Sequence, residues 1–388
     1  MPTGNISAEE WESFLHRAPV TLDRARAAAS LHDKRILITG AGGWIGSALT
    51  HAIADFAPKQ LILLEAAERN LYDIDAALRQ LRYPVEHVPL LGSVSDAVLL
   101  AEIFHRYRPE IIYHAAAFKH VPLMEQNPFS AIENNAIGTH LLVQAAAHAD
   151  SEQLILLSTD KAVDPVSIMG VSKRIAELTL LTPCASGAQS KAVRLGNVLG
   201  SEGSIVPLFR KQIMAGLPVT VTHPEVRRYF LTTSDAVTLL LLASSAAAAP
   251  GILVGALGEP VPVVALAQYL IANGHGSATR KVPIVFTQLR PGDKMSEVLL
   301  SGRESYASEV DSALLLRSVR SPSLPAAVLE ETLQELERAC RERSLERLLA
   351  AVVRAVPEYR PSTLLQDRVL DDRLLANATS DGNSKESA

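Results

Sequence analysis

Short apolar runs alternate with helical patterns between residues 34 and 196. Helical patterns such as WIGSALTHAIADF, VLLAEIFHRY and AIENNAIGTHLLVQAAAH separate the runs. Strands that are apolar on both faces and are separated by helices are typical of a parallel sheet covered on both sides. The sequence therefore predicts an α/β fold with a doubly wound parallel sheet. The apolar runs are KRILIT (34–39), QLILLE (60–65), VEHVPLL (85–91), EIIYHA (110–115), QLILLS (153–158) and KAVRLG (191–196).

A glycine-rich loop follows the first apolar run. In ITGAGGWIGSAL, Gly40, Gly43 and Gly46 fit the pattern G-x-x-G-x-x-G between a strand and a helix. Glycines permit the tight turn and let backbone N–H groups approach a pyrophosphate, and the helix N-terminus adds a favourable dipole. A glycine-rich turn without a ligand is the simpler alternative. The position of the loop at the start of a strand–helix–strand unit favours dinucleotide binding.

The second apolar run ends at Glu65, nineteen residues after Gly46. A carboxylate at this position can accept hydrogen bonds from the ribose hydroxyls of adenosine and repels a 2′-phosphate. Ala66 and Ala67 follow Glu65, so the adjacent positions offer no arginine for such a phosphate. The pattern favours NAD as the cofactor and leaves NADP as an alternative. A solvated strand end is the simpler interpretation of Glu65.

Charge and cysteine content argue against several classes of protein. The 388 residues carry a formal net charge of −5 and the pI is about 6.1, which disfavours nucleic acid or an anionic membrane as a partner. The two cysteines, Cys184 and Cys340, form no CxxC pair, so we expect a reducing compartment and no metal site. The N-terminus has no basic start and no apolar core of a signal peptide. We therefore expect a cytoplasmic protein.

The uncharged stretch from Ala236 to Gly258 is long enough to cross a membrane. Pro250 and Gly251 divide it, however, and two serines interrupt it. We therefore predict no membrane span, but a buried helix at about 234–247 and a buried strand at about 252–256.

The remaining segments suggest further domains around the alternating region. Two helical patterns, near 8–16 and 22–31, precede it, and a Pro- and Gly-rich region follows it. The polar end of the chain, NATSDGNSKESA, is predicted to be disordered. The predicted domains are an N-terminal extension (1–33), a Rossmann domain (34–196, with 225–256 returning to it), a smaller substrate-binding domain (197–224 and 257–320) and a helical C-terminal segment (321–388).

The fifth apolar run leads into the stretch LLSTDKAVDPVSIMGVSKRIAE. The strand delivers Thr159, Asp160 and Lys161 at its carboxyl end, where open α/β sheets bind ligands. Adjacent acidic and basic groups can be tuned toward neutral pH by burial and by each other. Met169 and Lys173 follow at i and i+4 of a helix, so Lys173 can reach a nicotinamide ribose. A polar loop after a strand is the simpler alternative.

This stretch resembles the active site of short-chain dehydrogenases/reductases, in which a tyrosine normally precedes the lysine by four residues. The wider set of motifs resembles the nucleotide-sugar 4,6-dehydratases of the extended branch of that superfamily, and more narrowly the UDP-N-acetylglucosamine 4,6-dehydratases of the CapD-like polysaccharide biosynthesis group. The motifs lie in order over about 36–300. They are GAGGWIGSAL, HAAAFKHVPLMEQNP, NNAIGT, LLSTDKAVDP, MGVSKRIAE, VRLGNVLGSEGSIVPLF, RRYFLT and RPGDK.

The resemblance implies a mechanism. The sugar is oxidised at C4 by bound NAD(P), loses water across C5 and C6, and receives the hydride at C6. By position, Thr159 would hold the C4 oxygen, Asp160 would protonate the departing C6 hydroxyl and Lys161 would remove the C5 proton. Lys173 would orient the nicotinamide ribose. Large membrane-bound members of the group are similar to this chain in having methionine at the place of Met169, and the resemblance suggests that this chain corresponds to their cytoplasmic half.

The resemblance also implies cofactor and substrate contacts. Surface or structural roles are the simpler alternatives for each substrate-binding residue. Members of the superfamily commonly pair through helices beside the active site, so we expect a homo-oligomer. The predicted cofactor-binding residues are Gly40, Gly43, Trp44, Ile45, Gly46, Glu65, Ala115, Ala116 and Lys173. The predicted contacts to a UDP-sugar substrate are Lys119, His120, Asn135, Asn197, Arg228 and Arg290.

Three functions are therefore compatible with the sequence. A nucleotide-sugar 4,6-dehydratase is favoured, because the pair Asp160 and Lys161 supplies an acid that simple epimerisation at C4 does not need. An NDP-sugar epimerase or oxidoreductase on the same fold is the second candidate. A non-catalytic nucleotide-sugar-binding subunit is the third, motivated by Met169 at the place of a tyrosine.

Overall fold

The computed structural model describes residues 8–182, 189–245, 250–273, 282–311 and 316–385, so Cys184 lies outside the described residues. The strands are β1 (Arg35–Thr39), β2 (Gln60–Glu65), β3 (His87–Leu91), β4 (Ile111–His114), β5 (Gln153–Thr159), β6 (Gln189–Leu195), β7 (Asn197–Val198), β8 (Val219–Val221), β9 (Arg227–Arg228), β10 (Phe230–Leu231), β11 (Gly251–Gly255), β12 (Val261–Pro262), β13 (Ile284–Phe286), β14 (Ser305–Asp311) and β15 (Leu316–Arg320).

Helices flank these strands. A π-helical turn (Glu133–Ile137) and a 3-10 turn (Asp160–Ala162) lie beside the site described below. The α-helices are α1 (Ala8–Leu15), α2 (Arg24–Leu31), α3 (Trp44–Ala54), α4 (Glu68–Arg79), α5 (Ala97–Tyr107), α6 (Val121–Gln126), α7 (Pro128–Ile132), α8 (Gly138–His148), α9 (Ile168–Leu181), α10 (Ile205–Met214), α11 (Thr233–Ser245), α12 (Val263–Asn273), α13 (Ala326–Glu342), α14 (Leu345–Ala355) and α15 (Thr363–Lys385).

The central sheet has the strand order β14-β15-β11-β6-β5-β4-β1-β2-β3. The strands from β3 to β11 in this order are parallel, and β15 and β14 add an antiparallel edge. In β1, Ile36 and Ile38 face one apolar core while Leu37 faces the other, and all three are fully buried. The predicted doubly wound parallel sheet is therefore confirmed. Burial on both faces explains why its strands are apolar at consecutive positions.

The uncharged stretch forms a buried helix and a strand. Helix α11 has buried residues on all sides from Ala236 to Ala243, because it packs between the sheet and helices α2 and α3. Strand β11 pairs with β6 in the interior of the sheet. Among the described residues, none of the helices is both long and apolar enough to cross a membrane. Packing inside a globular core accounts for the missing charges.

A smaller unit lies beside the main sheet. Its core contains Phe209, Val219 and Leu266 from helices α10 and α12 and strand β8. The N-terminal helix α1 packs on it, with the Phe14 ring 4.8 Å from the ring of Tyr269. These segments belong to the predicted N-terminal extension and substrate-binding domain, whose boundaries stay predictions.

Two segments differ from what the sequence suggested. Strands β14 and β15 lie within the predicted substrate-binding domain but extend the main sheet. Their sequences mix polar and apolar residues, so they lack the continuous apolar pattern of the parallel strands. Helix α15 includes residues 377–385 of the predicted disordered tail. Leu365 and Val369 near its start pack against the helices below, which gives the helix an apolar anchor.

The C-terminal helices cover the outer face of the helices beside the active-site strand. Leu336 on α13 and Leu348 on α14 share an apolar cluster with Phe129 on α7 and Ile175 on α9. Residues of α13 and α14 therefore cover the face that α7 and α9 present on this side of the molecule. Oligomerisation itself stays a prediction.

Replacing Leu336 with alanine tests this packing. The side chain is fully buried, so its loss should lower the free energy of unfolding by about 2–5 kcal/mol. The matched control is Val353→Ala on α14, where 37% of the residue is exposed, and we expect a loss of about 0.5 kcal/mol or less. Urea unfolding followed by circular dichroism measures both. Equal losses would contradict a packed C-terminal cover.

Candidate active site

The glycine-rich loop connects β1 to α3 in a turn that requires glycine. Gly40 has a φ of +66°, and a Cβ added to it would lie 2.8 Å from the backbone of Ala116. A Cβ on Gly46 would lie 1.9 Å from the carbonyl oxygen of Gly40. Gly43 precedes the first residue of α3 and has no side chain to occupy the helix N-terminus. The loop is therefore shaped so that backbone N–H groups can bind a phosphate directly.

Other predicted cofactor residues surround this loop. Ala115 donates its backbone N–H to the Thr39 carbonyl at 3.0 Å, which places the segment after β4 beside the loop. Ile45 lies in the first turn of α3. The Trp44 indole is 44% exposed and donates to the Thr233 hydroxyl at 2.9 Å. Trp44 thus connects the start of α3 to the start of α11.

Glu65 lies at the end of β2 and is nearly buried. One carboxylate oxygen accepts the backbone N–H of Gly42 at 3.0 Å, and the other accepts that of Ala67 at 3.0 Å. Glu65 therefore holds the glycine-rich loop in place. Each carboxylate oxygen can accept a second hydrogen bond, so the predicted contact to a ribose remains compatible with this geometry.

A buried hydrogen-bonded chain, which the sequence analysis did not predict, lies behind the loop. The His114 Nδ1 is 2.7 Å from the Thr39 hydroxyl, and its Nε2 is 2.9 Å from the Thr139 hydroxyl. Thr139 donates to the Asn135 carbonyl, so we assign the proton of His114 to Nε2. Burial, with the nearby Lys173 charge, lowers the pKa of His114 to about 3. The imidazole is therefore neutral and structural.

Asn135 lies in the π-helical turn. Such turns are frequent at functional sites. Its side chain exchanges hydrogen bonds with both the N–H and the carbonyl of Phe118, at 2.8 and 2.9 Å. It also donates to Ser172 on α9 at 3.0 Å. Asn135 therefore joins the loop after β4 to helix α9 from within the protein.

Thr159, Asp160 and Lys161 form a hydrogen-bonded cluster at the end of β5. The Asp160 Oδ1 accepts from the Thr159 hydroxyl at 3.0 Å and from the Lys161 ammonium at 3.0 Å. Lys161 also donates to the Asn197 side-chain oxygen at 2.9 Å. The Asp160 Oδ2 is buried and has no hydrogen-bond partner among the described residues. The structure therefore brings four of the predicted site residues together.

Asp160 is completely buried. Burial raises its pKa, the Lys161 ammonium opposes this rise, and the Glu297 carboxylate adds to it. The pKa of this carboxyl group therefore lies above its ordinary value. Because Oδ2 has no hydrogen-bond partner among the described residues, Asp160 can offer a proton to a ligand from that oxygen when it is protonated.

Helix α9 packs directly on this cluster. A Cβ added to Gly170 would lie 2.4 Å from the Lys161 carbonyl oxygen, so only glycine permits the approach. Met169 and Lys173 are both 3% exposed. Met169 belongs to the apolar cluster that α13 and α14 cover. Burial lowers the pKa of Lys173 to about 8, while the Glu177 carboxylate opposes the decrease.

A buried ionic network lies beneath the site. The Arg194 guanidinium donates to both carboxylate oxygens of Glu177, at 2.9 and 2.8 Å, and to both oxygens of Glu304, at 2.7 and 2.9 Å. Glu177 also accepts from the Ser158 hydroxyl at 2.7 Å. Burial acts to raise the pKa of Glu177, but Arg194 holds it below its usual range. The network therefore joins β5, β6 and α9 below the cluster of Thr159, Asp160 and Lys161.

The remaining predicted substrate contacts lie around this centre with different partners. Lys119 donates to the Glu202 carbonyl at 2.9 Å. His120 precedes α6 and contacts Gly203, where a Cβ would lie 2.4 Å from the imidazole ring. Burial lowers the pKa of both Lys119 and His120. Both side chains therefore join the loop after β4 to the segment around 200–203.

The two predicted arginines differ from each other. Arg228 is nearly buried and donates to the backbone carbonyls of Arg227, Lys294 and Met295. Its guanidinium therefore stabilises the turn that contains RPGDK. Arg290 is 56% exposed and pairs with Asp293 at 2.8 Å within that turn. Of the two, only Arg290 presents its guanidinium at the surface.

Glu297 is a site residue that the sequence analysis did not select. It is 3% exposed, and its Oε1 lies 3.9 Å from the Lys161 ammonium. Its Oε2 forms an ion pair with Lys294 at 3.2 Å. The one available signal was the i, i+3 spacing between Lys294, the last residue of the RPGDK motif, and Glu297. The sequence around a loop carboxylate has no periodic pattern that would distinguish a buried side chain from a solvated one.

The similarity of this chain to known proteins is consistent with the fold and the site described above. The parallel sheet, the glycine-rich loop and the buried lysine of α9 define the Rossmann fold of an extended short-chain dehydrogenase/reductase. The chain belongs to the family described as polysaccharide biosynthesis protein, which matches residues 36–317.

The relatives include a probable polysaccharide biosynthesis protein EpsC of Bacillus subtilis, 43% identical over 310 residues, and a capsular polysaccharide biosynthesis protein CapD of Staphylococcus aureus, 41% identical over 313 residues. These alignments cover 79% and 80% of this chain and 52% of each relative. The chain thus spans about half the length of these relatives. Among solved structures, Pen from Bacillus thuringiensis is 26% identical with a TM-score of 0.63, over 70% of this chain and 84% of that chain.

The buried Lys173 should titrate near pH 8. Because the folded state favours its neutral form, Lys173 lowers stability below pH 8, and this penalty disappears as the pH rises from about 8 toward the unfolded value near 10.4. NMR of ¹³C-labelled lysine side chains should reveal a signal with this midpoint that is absent in Lys173→Arg. If the signal lost in that variant titrates near 10, the lysine is not buried as described.

Proposed function

We propose that the protein is a nucleotide-sugar 4,6-dehydratase, with UDP-N-acetylglucosamine as the substrate to test first. The observation that carries this proposal is the pair of a buried Asp160 and a partly buried Lys161 at the carboxyl end of β5. Asp160 has one buried oxygen without a hydrogen-bond partner among the described residues, and Lys161 is held between Asp160 and Asn197. An adjacent acid and base suit the elimination of water across C5 and C6 of a sugar.

The residues around the glycine-rich loop fit NAD. The backbone N–H groups near Gly43 and the N-terminus of α3 would hold the pyrophosphate, since nothing but glycine fits at Gly40 and Gly46. Glu65 would accept from the adenosine ribose, and Lys173 would hold the nicotinamide ribose. When bound, NAD supplies the oxidation of C4 and the return of the hydride to C6.

The site's own residues account for the proton transfers. Lys161, as the neutral amine, removes the C5 proton, which a ketone at C4 makes acidic. Asp160 gives its proton to the departing C6 hydroxyl, which leaves as water. The Thr159 hydroxyl donates to Asp160, so it offers a route by which the C4 hydroxyl proton reaches Asp160 without a tyrosine. Two protons leave the sugar, one departs within the water and one returns to C5, so the balance closes.

Met169 supports this assignment by its position. Its side chain packs in the apolar cluster formed with α13 and α14. A thioether neither donates nor accepts a proton at neutral pH. The acid–base chemistry is therefore assigned to the cluster after β5, and α9 contributes Lys173 and the packing.

Incubation with UDP-N-acetylglucosamine in D2O tests the proposal. We expect NMR to detect a 4-keto-6-deoxy product with deuterium at C5. Asp160→Asn and Lys161→Met should each lower turnover by about 100-fold or more, because each removes one proton-transfer group. Lys59→Met changes an exposed lysine at the start of β2 and should leave turnover unchanged.

Two outcomes would overturn the proposal. Recovery of a sugar epimerised at C4 would indicate an epimerase instead. An unchanged sugar in the presence of bound NAD would indicate a non-catalytic binding protein.

A further inference from the structure

Glu297 lies among three cationic side chains next to the catalytic pair. Its carboxylate faces the Lys161 ammonium at 3.9 Å and the Lys294 ammonium at 3.2 Å. The charge of Arg228 acts on it as well. Lys161 also forms an ion pair with a second carboxylate, that of Asp160. A carboxylate that is 3% exposed is retained only where such charges compensate its burial.

The contacts of Glu297 indicate that it acts through its charge. Its distance to the Lys161 nitrogen is too long for a hydrogen bond. Its Oε2 is buried and makes an ion pair with Lys294 without a well-aligned hydrogen bond. The Lys294 ammonium in turn donates to the Val163 carbonyl at 2.5 Å, two residues after Lys161. The pair of Lys294 and Glu297 is therefore attached to the same turn that carries the catalytic residues.

We propose that Glu297 is a positioning residue whose charge helps Asp160 and Lys161 to hold the protons that they take from the sugar. This inference rests on the proposed function, in which Asp160 receives the C4 hydroxyl proton and Lys161 receives the C5 proton. A fixed negative charge beside Lys161 favours a proton on either group. Once protonated, Asp160 can offer its proton to the departing C6 hydroxyl from Oδ2, which has no hydrogen-bond partner among the described residues.

The charges around the pair are consistent with this role. Burial acts to raise the pKa of Glu297, but Lys161, Lys294 and Arg228 together hold it below its usual range, so Glu297 is anionic. The same carboxylate contributes to the raised pKa of Asp160. The pKa of one carboxyl group in the cluster is thus lowered and that of the other is raised, which is how paired carboxyl groups acquire different roles.

Titration of Asp160 tests the inference without turnover. In protein labelled with ¹³C at aspartate carboxyl groups, the Asp160 signal is the one that disappears in Asp160→Asn. In Glu297→Gln we expect its midpoint to move to lower pH by about one unit or more, because a neighbouring negative charge is removed. Glu297→Asp keeps the charge and should keep the midpoint close to that of the wild type.

The pH dependence of turnover is the second measurement. Asp160 must be ionised to receive the C4 hydroxyl proton, so the decline of kcat at low pH should begin about one unit lower in Glu297→Gln and return toward the wild-type position in Glu297→Asp. A uniform loss of kcat at every pH, with an unmoved Asp160 midpoint, would mean that Glu297 only supports the fold and would overturn the inference. Absence of dehydration by the wild type would refute the proposed function, while the NMR midpoints would still decide the role of Glu297.

Discussion

The buried ion pairs of Arg194 hold together the elements that carry the site. Arg194 on β6 binds Glu177 on α9 and Glu304 just before β14 through both ends of its guanidinium, and Glu177 also binds Ser158 on β5. A bidentate guanidinium fixes orientation as well as distance. Because Ser158 immediately precedes Thr159, Asp160 and Lys161 and Glu177 lies one turn beyond Lys173, the network sets the angle at which α9 meets the end of β5. The loss of one partner would leave an uncompensated charge in the core.

This arrangement explains the surroundings of Met169. It occupies the place of a tyrosine on α9, yet its surroundings are the apolar cluster under α13 and α14. The C-terminal helices extend the core over a face that would otherwise be exposed. Gly170, the next residue, lets the helix touch the Lys161 backbone. The helix thus contributes close packing, and the groups able to transfer protons lie one segment earlier in the chain.

The features that the sequence could predict are local. The strand–helix alternation, the glycine-rich loop and the contiguous Thr159, Asp160 and Lys161 each follow from spacing within a few residues, and strand ends converge at one edge of a parallel sheet. The features that it could not predict depend on distant segments. Glu297 approaches Lys161 across more than a hundred residues of chain, and Arg228 turned out to donate to the carbonyls of a remote turn. No local period distinguishes such a side chain from a solvated one.

The division of work between Asp160 and Lys161 is the central claim, and a fluorinated substrate tests it most directly. In a UDP-sugar with a ketone already at C4 and fluorine in place of the C6 hydroxyl, no C4 proton has to be removed, and the leaving group departs as fluoride and needs no acid. Asp160→Asn should then release fluoride within about tenfold of the wild-type rate, whereas Lys161→Met should release almost none. If Asp160→Asn were as impaired with the fluorinated sugar as with the hydroxylated one, Asp160 would not be the acid and the account would be contradicted.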